Sequence, residues 1–525
     1  MRATSVSGMS QQIARSKAGS WFTTWGRILL IVVALIAQLA LFAWIVLSLA
    51  ESSPWVYALN LGFSIVAVLW ILDKPMTPEY RLAWVIPILI VPLLGGIFYL
   101  LYGSRLFTRK DKQRLQVAQR EAHKALTAGP AVEPVLDLLP ADAARQSEYL
   151  RSTGNYPACE ATKVDYFALG DDVFPRMLED MEKAERYILF EYFIVAAGTM
   201  WDRMFDVMKR KAAQGVDVRV LYDDLGSYFV LPAHFQRDLR AAGIKVQAVN
   251  PLGFRPRLTY NNRNHRKILV IDGVVSYTGG INISDEYINE VVKLGHWKDT
   301  AVRIEGPATW SFVAMFLSVW DFVGDPADYT DFVPSVDTRV EGDWGVVQPF
   351  DDSPFDNTPV GEEAYLAVIG RAHHYVDIFT PYLIVDSRMS EGLKQAAMSG
   401  VRVRIVTPHI PDKAAIFEVT RSYYQPLIEA GVEIYEYTPG FVHAKQVVAD
   451  DRIGIIGTIN FDYRSFYLHQ ECAVWLYDAP ALKDIEEDFE ATIAVSQRIT
   501  LEDCLAVPWP RRLLRVVLST FAPLM

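Results

Sequence analysis

The sequence predicts an α/β protein made of two similar units, preceded by an apolar N-terminal region. Three observations carry this. Strand-like and helix-like patterns alternate from about residue 151 onward. One stretch of that pattern recurs in the second half of the chain. Before both lies an uncharged apolar run over residues 28–50.

The N-terminal run (ILLIVVALIAQLALFAWIVLSLA) is long enough to cross a bilayer as a helix, and too long for the apolar part of a signal peptide. Two further runs, Trp55 to Leu72 and Trp84 to Tyr102, are expected to span as well. The third is interrupted by Pro87, Pro92 and the pair Gly95-Gly96, so a re-entrant path is an alternative for it. Residues 1–103 are thus read as a transmembrane region. Arg2, Arg15, Lys17 and Arg27 before the runs, and Arg105, Arg109, Lys110, Lys112 and Arg114 after them, ask for the same membrane face. Three full spans do not allow that, so either one run fails to span or the soluble part lies outside.

Residues 104–150 read as a polar helical linker with a break near Gly129-Pro130. The first α/β unit is expected over 151–325 and the second over 361–500. Residues 326–360, rich in Asp, Pro and Gly, are expected to be a linker. The repeat is explicit: Tyr187-Ile-Leu-Phe-Glu-Tyr-Phe and Gly215-Val-Asp-Val-Arg-Val-Leu return as Tyr375-Val-Asp-Ile-Phe-Thr-Pro-Tyr and Gly400-Val-Arg-Val-Arg-Ile-Val. The tail, 501–525, carries Pro510-Arg511-Arg512-Leu513-Leu514-Arg515, which suits either a packed terminal helix or a membrane-surface helix.

Composition excludes some functions. With 51 Lys+Arg against 62 Asp+Glu, the net charge of -11 argues against a nucleic-acid binder. Cys159, Cys472 and Cys504 are scattered, with no CxxC and no His/Cys cluster at metal-ligand spacing, so neither a disulfide framework nor a structural metal is expected.

The chemistry lies in a second repeat. Asn264-His265-Arg266-Lys267, ending at Asp272, is followed by Thr278-Gly279-Gly280-Ile281-Asn282. Val442-His443-Ala444-Lys445, ending at Asp450, is followed by Ile456-Gly457-Thr458-Ile459-Asn460. Both read HxKxxxxD and then G(G/T)xN. If each motif lies on a strand, His265 and Lys267 share one face, as do His443 and Lys445. An imidazole attacks phosphorus or moves a proton, while an ammonium neutralises phosphate oxygens, a combination suited to phosphoryl transfer. The Asn after each glycine-containing pair is expected to offer its amide where backbone approaches substrate. Asp299 and Glu471 each begin a similar strand after their motif and are expected to accept an imidazole Nδ1–H and fix its tautomer. His296, His373, His374, His409 and His469 lack matching partners and read as structural or surface residues. The basic stretch from Arg255 and Arg257 through Arg263 and Arg266 reads as recognition of an anionic head group.

At these residues the chain resembles the phospholipase D superfamily, specifically its bacterial cardiolipin synthase branch. The likeness covers nearly the whole chain and extends to Asn261-Asn-Arg-Asn-His-Arg-Lys, Gly279-Gly-Ile-Asn-Ile-Ser-Asp-Glu-Tyr287, His296-Trp-Lys-Asp-Thr300 and Gly457-Thr-Ile-Asn-Phe-Asp-Tyr-Arg-Ser465. The resemblance implies two α/β/α units packed with pseudo-twofold symmetry around one active site. It also implies phosphatidyl transfer without metal or cofactor, from one phosphatidylglycerol to another, through a phosphohistidine. His265 is then the nucleophile and His443 the acid and base; Lys267, Lys445, Asn282 and Asn460 hold phosphate. Asp272 and Asp450 complete the motif near the end of its strand, where a structural role is as much expected as a catalytic one. The rival activity is hydrolysis to phosphatidic acid. A bacterial plasma membrane and other membrane phospholipids as partners are further implications of the likeness. The chain departs from the family at Val346-Val-Gln-Pro-Phe-Asp-Asp-Ser, where a Gly-containing strand is usual.

Overall fold

A computed structural model describes Ser48 and residues 54–74, 76–103, 109–129, 135–251, 262–324, 326–355 and 358–524. It divides into two compact units, one of Met1–Met76 with Trp84–Tyr99, the other of Thr77–Ala83 with Leu100–Met525.

In the smaller unit, the apolar run 28–50 lies outside the described residues apart from Ser48. The second run forms the 19-residue helix Pro54–Leu72, whose rise of about 28 Å falls just short of a ~30 Å hydrocarbon core. The third run is broken where Val91 leaves helical geometry (φ -137°, ψ 81°) ahead of Pro92. Three short helical pieces take up the run, Pro78–Ile90, which begins before it, Pro92–Phe98 and Tyr99–Gly103. No helix among the described residues is long and apolar enough to cross a membrane.

The larger unit holds two sheets of matching design. The first half supplies β1 (Lys163–Phe167), β2 (Tyr187–Tyr192), β3 (Asp217–Asp223), β4 (Lys245–Val249), β5 (Arg263–Asn264), β6 (Ile268–Ile271), β7 (Val275–Gly279), β8 (His296–Lys298) and β9 (Ala301–Glu305). The second supplies β10 (Val346–Asp352), β11 (Tyr375–Phe379), β12 (Leu383–Ile384), β13 (Arg402–Pro408), β14 (Glu433–Tyr437), β15 (Gly440–Val442), β16 (Gln446–Ala449), β17 (Ile453–Gly457), β18 (Phe461–Asp462), β19 (His469–Tyr477) and β20 (Ser496–Ile499). The first sheet runs β1-β9-β7-β6-β2-β3-β4 and the second β10-β19-β17-β16-β11-β13-β14-β20. Strand for strand the orders agree, with β20 added at one edge. The central strands β2 and β11 are buried throughout, as expected where helices cover both faces. One apolar cluster contains core side chains from both sheets, among them Leu189, Val270, Ile378 and Trp475.

Two expectations are corrected here. The supposed linker 326–360 contains β10, buried except at Asp351 and paired antiparallel with β19 from Val346↔Tyr477 to Asp352↔Glu471. Its Pro349 and two aspartates disguise a strand that plays the part of β1 in the second half. The polar stretch 104–150 is helical as expected, but it packs into the core and is more than a linker. Its helix Arg109–Ala128 buries Leu115, Ala118 and Ala122, and Trp310 Nε1–H donates to Ala125 O at 3.0 Å.

Candidate active site

The two halves exchange short strands next to the motifs. β5 pairs parallel with β19 of the second half, and β15 pairs parallel with β8 of the first. These pairings end at the histidines, where His265 N–H donates to Gln470 O (2.9 Å) and His443 N–H to Lys298 O (2.7 Å). The HxK segments therefore lie between strands, not within one, because each binds across to the other half before re-entering its own sheet at β6 or β16. His265, Lys267, His443 and Lys445 are all buried, and each lysine folds back so that its Nζ donates to the carbonyl of its own histidine.

The carboxylates are exchanged as well. His265 Nδ1 lies 2.9 Å from both oxygens of Glu471, and His443 Nδ1 lies 2.6 Å from Asp299 Oδ2. Lys445 Nζ also approaches His443 Nδ1, at 2.7 Å. The second residue of each glycine-containing pair packs against one of these acids. A Cβ at Gly280 would sit 2.0 Å from Asp299 Oδ1, so glycine alone leaves room there. At the equivalent position Thr458 Oγ1–H donates to Glu471 Oε2.

Burial, together with the neighbouring Lys267 and Lys445, holds both imidazoles well below the ordinary histidine range, so both are neutral at rest. Burial lowers Lys267 to about 8 and Lys445 to about 7, against the pull of Glu471 and Asp299. Burial raises Asp299 to about 7, although Lys445 and the Thr300 N–H oppose it.

Both histidines line one cavity of about 810 Å³, shared with Asn282, Asn460, Arg263, Arg464, Tyr287 and Trp297 among others. Aromatic rings wall it: Phe193 meets His265 edge-on at 5.0 Å between centroids, and Tyr287 meets His443 at 5.4 Å. Asn282 Oδ1 accepts from Ile194 N–H and its amide donates to Tyr287 Oη. The Asn460 amide donates to Asp462. Each amide is thus partly engaged in holding the wall, with one N–H left over.

Asp272 and Asp450 stand apart from the other motif residues and do not line the cavity. Both have positive φ (53° and 54°) in the turns after β6 and β16. Asp272 accepts from the N–H groups of Glu185, Arg186 and Tyr187, and Asp450 from those of His373, His374 and Tyr375. Of the two roles expected for them the geometry favours the structural one, because their carboxylates are spent on backbone at the start of β2 and β11. Of the basic stretch, Arg255 and Arg257 lie outside the described residues, and Arg263 lines the cavity. Arg266 turns into the protein, bonding Asp351 and the carbonyls of Glu471 and Met315.

Sequence reasoning passed over His469. It is buried, lines the cavity and lies 5.4 Å from the His265 ring; its place two residues before Glu471 was the available signal. His265, His469 and Glu471 are the only group among the described residues with ligand-type atoms close enough for a metal, within 4.8 Å of one another. The 2.9 Å contact between His265 and Glu471 is a hydrogen-bond spacing, tighter than two ligands around one ion adopt.

Two α/β halves that exchange strands and acids around paired HxK segments define a phospholipase D-like phosphotransfer protein. Comparison with known proteins agrees. The model of the cardiolipin synthase phospholipase D-like domain matches residues 177–309 and 365–493, and a phospholipase D-nuclease N-terminal model matches residues 62–103. A cardiolipin synthase of Oceanobacillus iheyensis is 33% identical over 85% of this chain and 92% of its own. The major cardiolipin synthase of Bacillus subtilis is 32% identical over 88% and 97%. An uncharacterized protein of Streptococcus mutans is 38% identical over 87% and 99%. A solved phosphatidylserine synthase of Haemophilus influenzae shares the fold, with TM-score 0.55 and 15% identity over 72% of this chain and all of that one. The chain belongs to the cardiolipin synthase family of the phospholipase D superfamily, and it is a phosphatidyltransferase.

Proposed function

We propose that this enzyme transfers the phosphatidyl group of one phosphatidylglycerol to another, giving cardiolipin and glycerol, through a phosphohistidine at His265. The observation that supports the division of labour is the unequal surroundings of the two imidazoles. Glu471 Oε2 also accepts from Thr458 Oγ1–H, and with Glu471 as the acceptor His265 carries its proton on Nδ1 and keeps a lone pair on Nε2. His443 Nδ1 faces both the Lys445 ammonium and Asp299, whose proton burial retains up to about 7. That nitrogen is then the acceptor, and the Nε2–H of His443 is the proton to give.

In the first step His265 Nε2 bonds to phosphorus, the bond from phosphorus to the glycerol oxygen breaks, and His443 protonates that oxygen. Asp299 passes its own proton to Nδ1 as Nε2 gives one up. In the second step His443 takes the proton of a primary hydroxyl on the second phosphatidylglycerol. That oxygen bonds to phosphorus, the phosphorus–nitrogen bond breaks, and both groups return to their starting states. Lys267 and Lys445 neutralise the equatorial oxygens, and the arriving phosphate anion in turn restores their charge. The apolar surface left exposed on the helix Pro54–Leu72, including Leu59, Val66 and Leu69, supports a membrane site of action.

The test is to incubate the detergent-purified protein with phosphatidylglycerol as the sole lipid and identify products by mass spectrometry. Cardiolipin with glycerol is expected; phosphatidic acid alone would make water the acceptor and the enzyme a hydrolase.

A further inference from the structure

Three elements that line the cavity continue outward into exposed apolar side chains. Leu225 lines it from the short helix Asp224–Ser227, and the turn that follows carries Phe229, 88% exposed. Lys293 and Leu294 line it, and directly before them stands Val292, 78% exposed. The helix Ala414–Ser422 contributes Ala415 and Ile416 to the wall and is itself backed by the terminal helix Trp509–Thr520.

That terminal helix is two-sided. On one face Arg511 and Arg515 pair with Glu418, and Leu518 packs beside Ile384 and Tyr463 of the cavity wall. On another, Trp509, Leu513 and Val516 follow one another at four- and three-residue steps and are 74%, 56% and 61% exposed. No residue of this helix is buried. One face of the tail is thus packed against the protein, and the other leaves apolar side chains exposed.

We propose that the Phe229 turn, the Val292 segment and the outer face of the terminal helix form a bilayer-docking rim that seats the cavity at the level of the lipid head groups. The proposal rests on the lipid substrate argued above. A cavity of about 810 Å³ has the size that encloses one drug-sized ligand, whereas the transfer brings together two diacyl lipids. Their chains must lie outside the cavity, against whatever surrounds it. A rim of Trp, Phe, Leu and Val keeps those chains in hydrocarbon while the head groups reach the histidines. A second copy of the chain seated on the same rim would cover the path the substrates need.

The experiment compares the full-length wild type with F229E/V292E and L513E/V516E on two forms of phosphatidylglycerol, long-chain vesicles and a monomeric dihexanoyl species. Each double variant is expected to lose about tenfold or more in kcat/KM on vesicles and to stay within about twofold on the monomeric lipid. Quenching of Trp509 fluorescence by brominated lipid, read as the difference from W509F, gives a second measure. Unchanged vesicle kinetics with no quenching would overturn the rim, as would variants that merely turn an oligomer into a monomer at unchanged vesicle rate. If the wild type converts neither lipid, the lipid reading itself fails and the rim falls with it.

Discussion

His265 Nδ1 lies 2.9 Å from Glu471 Oε1 although 206 residues separate them in the chain. With the reciprocal pair His443 and Asp299, this makes each histidine depend on the opposite half for its tautomer. The active site therefore forms only when both halves fold and dock.

It follows that E471Q and D299N should each lower kcat by about 10²–10⁴-fold, with the melting curve little changed. They should fail at different places. E471Q should slow formation of the covalent intermediate even with an activated donor, whereas D299N should form it at nearly the wild-type rate from a donor whose leaving group needs no proton, and then turn over slowly. Rapid-quench kinetics with both donor types reads the difference.

The pH profile should have an alkaline limb far below that of an ordinary lysine. Lys445 and Lys267 are held down to about 7 and about 8 by burial, and the Asp299 proton is held up to about 7. In the proposed mechanism each of these groups acts in its protonated form and loses its proton as pH rises, so kcat/KM should fall above about 7, instead of near 10.4 as for a solvated lysine. Because Asp299 titrates in the same range, D299N/K445R should move the limb upward more than K445R alone, whatever their absolute rates.

Asp450 anchors backbone and does not line the cavity. Burial alone would raise its carboxyl, but the N–H groups of His373, Tyr375 and His374 outweigh burial and lower it. A lowered carboxylate contributes stability that is complete above its unfolded value, about 4, and is lost as pH falls through the folded one. D450N should therefore lower the melting temperature by a few degrees at neutral pH and lose that deficit in acid. Activity per folded molecule should stay within about twofold of wild type.

Between the halves, Lys298 Nζ meets the Asp488 carboxylate at 2.7 Å with both side chains largely out of water, and Tyr166 Oη–H donates to the same acid. The Lys298 carbonyl receives the His443 N–H. Removing one charge strands the other, so D488A should cost about 3–5 kcal/mol, and K298M/D488L should recover most of it. Chemical denaturation of the three proteins measures this.

Much of this was legible because the chemistry repeats. The His and Lys of both motifs, Asp299 and Glu471 could be picked out by comparing the chain with itself, and the strand orders bear out the repeat. The exchange of acids was not legible, since nothing local to Asp299 says that its partner is His443. Pro349 and two aspartates hid β10, because its burial comes from pairing with β19 and not from its own composition. His469 was passed over since it has no counterpart in the first half. For Asp272 and Asp450 the repeat left two roles open, because recurrence alone does not separate a catalytic acid from a turn that holds β2 and β11.

The most direct test of the central claim uses a phosphatidyl donor with a p-nitrophenolate leaving group, which departs without a proton. H443A should release a burst of nitrophenolate stoichiometric with enzyme, then stall, and peptide mass spectrometry should find the phosphatidyl group on His265. A burst from H265A with the adduct on His443 would contradict this account, as would steady turnover of H443A to cardiolipin without any adduct.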